Sequence, residues 1–457
     1  MSLPERATEL PRKEVESLSG WGNFPTAPAS LVRPERFREL KPQPGQQIVR
    51  GRGRSYGDAA LCTDGTVILT ERLDRFLEFN ENTGVLRAEA GATLNDILEF
   101  FVPKGWFVPV TPGTKYCSLG GCLAADVHGK NHHHAGTFSK HVKSANLILA
   151  DGTSATISPD LNPDIFWATA GGMGLTGIVS EMSLQLLPIE TAYIQVQHRE
   201  AKNIDHALDM LSNDQLDDEY SVAWIDCMST GDHLGRSVVM TGHHIPKIDL
   251  PLKLSSEPLP GVNRVRANIP FNFPNWALNP TTIRAFNNVY NWSQVRKRSF
   301  VTDFEHFFYP LDRIRGWNKM YGKRGFVQYQ CVLPTNTSRA GMREILTQLT
   351  SRKQASFLAV LKRFGGQGEG LMSFPSAGFT LALDIPMNQD LLPLLDILDE
   401  SVERHGGRQY LAKDSRLKAE RIPGMYPRLN EFREVLNRID PDRRFESDLS
   451  RRLELRK

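Results

Sequence analysis

Apolar positions along this chain follow two rhythms, and the alternation between them marks the elements. Gln47–Val49, Thr66–Leu69 and Val85–Ala90 are short apolar runs bounded by glycine, proline or charge, and each predicts a strand. After Thr93, a candidate N-cap, Leu94, Ile97, Leu98 and Phe101 recur with helical spacing, which predicts a helix ended by Gly105. Asn146–Ala150 and Thr153–Ser158 flank Asp151-Gly152, a strong hairpin signal. Pro163 opens a short helix through Trp167, and Ile178–Leu186 then alternates with Ile178, Met182, Leu184 and Leu186 on one face. Further strands are predicted at Ser221–Cys227, Ser237–Thr241, Phe326–Leu333, Ser356–Arg363 and Gly378–Ile385. Leu391–Val402 predicts an amphipathic helix ending at Gly406-Gly407. Between Ser255 and Tyr290, Pro258, Pro260, Pro270, Pro274 and Pro280 interrupt every pattern, which predicts a lid or a disordered segment.

Composition narrows the class. The 457 residues suit two or three domains, and 40% hydrophobic with 23% charged side chains excludes disordered and collagen-like chains. No apolar run reaches the ~18–20 residues that span a bilayer. Met1–Glu16 has no apolar h-region, so no secretory signal is expected. The expected location is cytoplasmic, or peripheral at the membrane or cell envelope. A net charge of +3, from 55 basic and 52 acidic side chains, leaves no nucleic-acid footprint. The five cysteines (Cys62, Cys117, Cys122, Cys227 and Cys331) contain no CxxC pair, so they read as reduced thiols rather than a zinc site. His132, His133 and His134 are consecutive and cannot converge on one ion, so no metal is expected.

The glycines carry the chemistry. Gly172 through Gly177 matches GxGxxG, but a predicted helix precedes it and a strand follows, the reverse of a dinucleotide-binding fingerprint. Gly51-Arg52-Gly53-Arg54-Ser55-Tyr56-Gly57 has tyrosine where the last glycine of that fingerprint should stand. Instead, three loops combine little bulk with many donors: Gly51–Asp58, Thr111–His132 and Gly171–Gly177. Three such loops suit an extended cofactor containing a diphosphate, approached closely at several points, although each loop alone could be a set of turns.

The segments GRGRSYGDAA, TPGTKYCSLGGCLAADVHGKNHH and FWATAGGMGLTGIV resemble the FAD-binding domain of vanillyl-alcohol-oxidase-type (PCMH) flavoproteins. Together with AKDSR and the tail, they resemble more narrowly the flavin oxidase subunits of decaprenylphosphoryl-β-D-ribose 2′-epimerases, over nearly the whole chain. The resemblance implies a two-domain α+β fold. An FAD-binding domain, 1–189, is rejoined by 409–457, and 190–408 forms an antiparallel-sheet substrate domain with a flexible lid near 255–290. It implies FAD held by Gly51, Gly53, Arg54, Ser55, Tyr56, Gly57, Gly113, Ser118, Leu119, Gly120, Gly121, Ala125, Asp126, His128, Gly174, Gly177, Val179 and Tyr410. Arg54 stands where many relatives carry a flavin-linking histidine, so the flavin is expected to be non-covalent.

By the same resemblance Lys413, His128 and Tyr56 are the catalytic candidates, with Lys413 either a base or an electrostatic stabiliser of alkoxide charge. Gln328, Gln330, Lys362, Trp224 and Ala382 are the substrate-binding candidates. Gln328 and Gln330 alternate along one strand and therefore share a face, whatever the family. Trp224 fits a pocket wall or the core. Ala382 replaces the pocket cysteine of mycobacterial members. The implied reaction is oxidation of the 2′-hydroxyl of a polyprenyl-phosphoryl pentose, reached at a membrane surface. A separate NAD(P)H-dependent keto-reductase of the short-chain dehydrogenase type would complete the epimerisation. Rival readings are a soluble sugar or alditol oxidase and a non-catalytic scaffold.

Overall fold

The computed structural model describes residues 14–213, 218–262, 267–274, 278–354, 356 and 358–457. Residues 1–13 of the expected FAD-binding domain, and 263–266 and 275–277 of the expected lid, lie outside the described residues. Two small sheets come first. One runs Glu14–Ser19, Thr26–Val32, Thr66–Leu69, Gln47–Arg50 in spatial order. Its last two strands are parallel, so the glycine loop from Gly51 leaves from the end of one and must travel back to the start of the next. The other sheet is antiparallel, in the order Phe76–Asn80, Val85–Glu89, Ile178–Gln185, Val142–Ile148, Ser154–Ile157.

Local chemistry explains these elements. Thr93 caps the helix Leu94–Phe101: the Asp96 N–H donates to Thr93 Oγ1 at 3.2 Å, and the Thr93 N–H donates back to Asp96 Oδ2 at 2.9 Å. The expected hairpin forms, with Ile148 opposite Ser154 and the Thr153 N–H donating to Asp151 Oδ1 at 2.8 Å. The helix Pro163–Thr169 does precede Gly172–Gly177, and a strand does follow, as the reversed order required.

The second half builds an eight-stranded antiparallel sheet, ordered Ser299–Asp303, Tyr193–Ala201, Ser237–His244, Tyr220–Ile225, Ala359–Phe364, Gly378–Pro386, Phe326–Pro334, Arg408–Gln409. Helices Ile204–Ser212, Ser338–Ser351 and Leu391–Arg404 pack on it through buried leucine, isoleucine and methionine. After Arg408–Gln409 the chain returns to the first sheets, where Phe445 bridges to Gln47. The buried Arg456 there donates to Asp440 Oδ2 at 2.6 Å.

The proline-broken stretch differs from its pattern. Pro280 does not interrupt structure but starts the helix Pro280–Val295, at a position where its missing N–H costs nothing, behind an Asn279 cap. The periodicity was hidden because the buried face is Ile283, Asn287 and Asn291, while Phe286, Val289 and Trp292 face outward. Strands Tyr193–Ala201 and Ser299–Asp303 also escaped the pattern; they pair with each other at the edge of the large sheet.

Candidate active site

A cavity of about 580 Å³ lies between the glycine loops and one face of the large sheet. Its two walls have different origins. On the loop side, glycine backbone is approached closely by its neighbours. A Cβ on Gly51 would lie 2.0 Å from Ser118 Oγ, and one on Gly57 would lie 1.8 Å from the Asp414 carbonyl oxygen. Only glycine permits either contact. The second contact, with the Tyr56 N–H donating to Ala412 O at 3.0 Å, sets the Lys413 loop against the Gly51–Asp58 loop. Arg452 clamps the two, donating to Asp58 at 2.8 and 2.9 Å and to Asp414 at 2.8 Å. On the sheet side, alternate residues of neighbouring strands face the cavity: Val222 and Trp224, Val360 and Lys362, Gln328 and Gln330, with Ala382 opposite Gln330 in register.

All the expected site residues line this cavity except Gly57, Leu119 and Asp126. Gly57 is packed against Asp414, Leu119 is core, and Asp126 is buried and turned inward, accepting from the Ser139 N–H at 3.1 Å and from the Ser373 hydroxyl. These three pack between the loops rather than lining the cavity. Of the stretch expected to form a lid, the C-terminal end, Tyr290, reaches the cavity. Leu252, Leu254, Val262, Ile269 and Phe271 stay off the cavity wall, whereas Tyr290 and Gln294 of the helix Pro280–Val295 line it, with Tyr290 4.8 Å from Trp224 between ring centroids.

Polar contacts fix the candidate groups. The Lys413 ammonium lies 4.0 Å from the centre of the Tyr56 ring. Gln330 Nε2 donates to His128 Nε2 at 3.1 Å and to Thr380 Oγ1 at 3.2 Å. That bond makes His128 Nε2 an acceptor and leaves the ring proton on Nδ1, which is buried without a partner. Burial, ahead of repulsion from Lys362, holds the His128 imidazole neutral, far below its ordinary range. The Gln328 amide donates to Asp384 Oδ1, and Tyr410 OH donates to Ala125 O at 2.8 Å.

Three half-buried lysines, Lys413, Lys362 and Lys130, line the cavity. Burial brings Lys413 down to about 8 and Lys362 to about 8, and it brings Lys130 to about 7. Asp384 moves the other way, pushed up by burial to about 7, and its attraction to Lys413 opposes both shifts. Arg54 stacks its guanidinium 4.1 Å from Trp21 and 5.4 Å from Tyr116, and its Nε is buried without a partner. Among the described residues, no cluster of three His, Cys, Asp or Glu side chains could hold a metal ion.

The glycine wall fits FAD. Gly51, Gly53, Gly113, Gly120, Gly121 and Gly174 offer it backbone without bulk, and the unpartnered Arg54 Nε and His128 Nδ1 offer it donors. Sequence reasoning missed Asp384, Lys130, Tyr290 and Cys117. Asp384 had a signal, since it lies two residues beyond Ala382 on one strand and shares its face. The Lys130 ammonium donates to Phe307 O from a sequence-distant element, and no local pattern announces that.

The comparisons with known proteins agree with this geometry. Residues 41–158 match the FAD binding domain family, and residues 386–453 match the D-arabinono-1,4-lactone oxidase family. The decaprenylphosphoryl-beta-D-ribose oxidase of Mycolicibacterium smegmatis is 35% identical over 98% of this chain and 99% of its own. An uncharacterized protein of Streptomyces coelicolor is 34% identical over 79% of this chain and 100% of its own. The L-gulono-1,4-lactone dehydrogenase of Mycobacterium tuberculosis is 22% identical over 95% of this chain and 98% of its own. FAD is thus the cofactor, and the fold is the two-domain α+β fold of the PCMH/VAO type. The chain belongs to the decaprenylphosphoryl-β-D-ribose oxidase family of FAD-dependent oxidoreductases.

Proposed function

We propose that this protein oxidises the 2′-hydroxyl of a polyprenyl-phosphoryl-β-D-ribose to the 2′-ketone, the first half of epimerisation to the arabinose donor for cell-wall arabinan. The observation that carries this reading is the half-buried Lys413, at the junction of the glycine wall and the polar sheet wall. It stands in a chain 35% identical, over 98% of its length, to an oxidase of such a substrate. Bound FAD supplies the two-electron acceptor for the hydride that leaves C2′.

The chain's residues do the rest. Lys413, with its ammonium brought down to about 8, is neutral often enough near neutral pH to take the hydroxyl proton as the C–H bond breaks. Tyr56 supports the charged form of the lysine that results. Gln328 is oriented by Asp384, and Gln330 by His128 and Thr380, so both amides present fixed polar edges to sugar hydroxyls. Trp224, Tyr290, Phe307 and Phe308 give an apolar flank suited to the first prenyl units. Arg54 carries no nucleophile for the flavin methyl, so FAD is held without a covalent bond.

A separate NAD(P)H-dependent keto-reductase of the short-chain dehydrogenase type then returns hydride to the opposite face, and the lipid substrate brings the protein to a membrane surface. Among the described residues no helix is long and apolar enough to cross a membrane. The reading is tested by anaerobic mixing with a polyprenyl-phosphoryl ribose while flavin absorbance is followed. Bleaching is expected with the lipid-linked pentose, and bleaching by free alditols alone would replace this substrate with a soluble one.

A further inference from the structure

Cys117 and Cys122 bracket the first turn of the helix Leu119–Ala124. Cys117 precedes the N-cap Ser118, and Cys122 is the fourth helical residue. Side chains at those two positions pack against each other across a helix start, a place usually filled by two aliphatic groups. Here both are thiols. Cys117 packs against the core cluster to which Cys122 belongs, and each thiol bears on the other's acidity.

Their surroundings differ. Cys122 is fully buried, whereas Cys117 is only half-buried and lines the cavity beside Lys413 and Arg54. The neighbouring Cys122 thiol, helped by the Lys413 and Arg54 charges and against the effect of burial, holds the Cys117 thiol below its usual range. Burial pushes the Cys122 thiol well above it. The first is therefore a cavity-facing nucleophile, and the second is a protonated partner in contact with it. Cys62, Cys227 and Cys331 are buried away from the cavity wall, and burial raises all three thiols.

We propose that Cys117 and Cys122 form a peroxide-reactive dithiol in the wall of the active-site cavity. The oxidant is hydrogen peroxide, which an oxidase releases when electrons taken from an alcohol pass to dioxygen. The Cys117 thiolate attacks one peroxide oxygen, the O–O bond breaks, and the departing hydroxide takes a proton to become water. Cys117 is then a sulfenic acid. The Cys122 sulfur attacks the Cys117 sulfur, the S–O bond breaks, and a second water leaves with the Cys122 proton. One peroxide is reduced to two waters and two thiols are oxidised to a disulfide. This inference goes beyond the proposed sugar chemistry and does not depend on which alcohol is oxidised.

The test adds hydrogen peroxide to the purified, flavin-loaded protein, followed by alkylation under denaturing conditions and peptide mass analysis. Both cysteines lie in the tryptic peptide Tyr116–Lys130. Wild type should yield that peptide two hydrogens lighter and unalkylated, with alkylation restored by dithiothreitol, at least tenfold faster than any oxidation at Cys62, Cys227 or Cys331. Cys122→Ser, or Cys122→Ala should the serine variant lose its flavin, should instead accumulate a dimedone-trapped sulfenic acid on Cys117. Cys117→Ser should leave Cys122 fully alkylated. A wild-type peptide that stays alkylated while the buried cysteines oxidise would overturn the proposal, and so would a Cys122 variant with no trapped Cys117.

Discussion

The glycine wall and the sheet wall face each other across one cavity, and they tolerate change in opposite ways. The glycine wall is made of three loops, each short and contiguous in sequence, and is defined by what its residues lack: Gly51 lets the Ser118 side chain, and Gly57 the Asp414 backbone, come closer than a Cβ would allow. The sheet wall is assembled from strands up to about half the chain apart, and it is defined by what its side chains carry: the Gln328 and Gln330 amides, the half-buried Lys362 and, behind Gln328, the buried Asp384. In the proposed function, one wall would hold the cofactor by shape and the other would tune charge. Binding and turnover should therefore fail separately when each is altered.

The largest expected effect lies where the walls meet. Lys413→Ala should keep FAD, because the lysine is not part of the glycine cradle, and should lose about 10²–10³-fold in the rate of flavin reduction by substrate. Stopped-flow absorbance with bound flavin measured in parallel checks this. A yellow, folded and fully active variant would erase the division of labour between the walls.

Gly57→Ala tests the other side. Both its Cα and the Asp414 carbonyl oxygen are backbone, so the added methyl, 1.8 Å away, cannot be relieved by a rotamer change. A cost of about 1–3 kcal/mol is expected, read as a lower urea midpoint together with lower flavin content. Ala382→Cys, a larger change in the half-buried, cavity-facing sheet wall, should leave both readings unaltered. Equal damage from the two substitutions would collapse the contrast.

Electrostatics gives a subtler effect. A base must be neutral to accept a proton, so flavin reduction should rise with pH through about 8 and level off above it. The Asp384 carboxylate favours the Lys413 ammonium and so holds that midpoint up. Asp384→Asn should move the midpoint lower, by about half a unit to one unit. A fall in rate across the same range would make Lys413 an electrostatic stabiliser acting as the ammonium. The smallest effect is qualitative: acid precipitation should leave no flavin on the pellet, since Arg54 cannot form the covalent bond.

The glycine wall was legible in the sequence because its signal is local. Turn residues, the reversed order of helix and strand around Gly172–Gly177, and the arginine at position 54 are all read within a few residues of each other. The alternation of Gln328 and Gln330 was legible for the same reason, and register then placed Ala382 opposite Gln330. Pro280 misled because proline breaks a helix interior but favours a helix start, and only the capping contacts of Asn279 tell the two apart. Gly57, Leu119 and Asp126 sit inside a motif whose other members reach the cavity, yet these three face away from it.

The sequence by itself determined the element types, the glycine cradle and the residues able to carry oxidation chemistry, because propensity, turn geometry and period-two alternation act over short spans. Tertiary structure decided what those residues are. Desolvation brings Lys413 down to about 8 and Asp384 up to about 7 only because the fold brings them together, and Cys117 lies beside Lys413 and Arg54 only because distant loops converge. Desolvation and long-range charge depend on three-dimensional surroundings, and a one-dimensional pattern carries no measure of either.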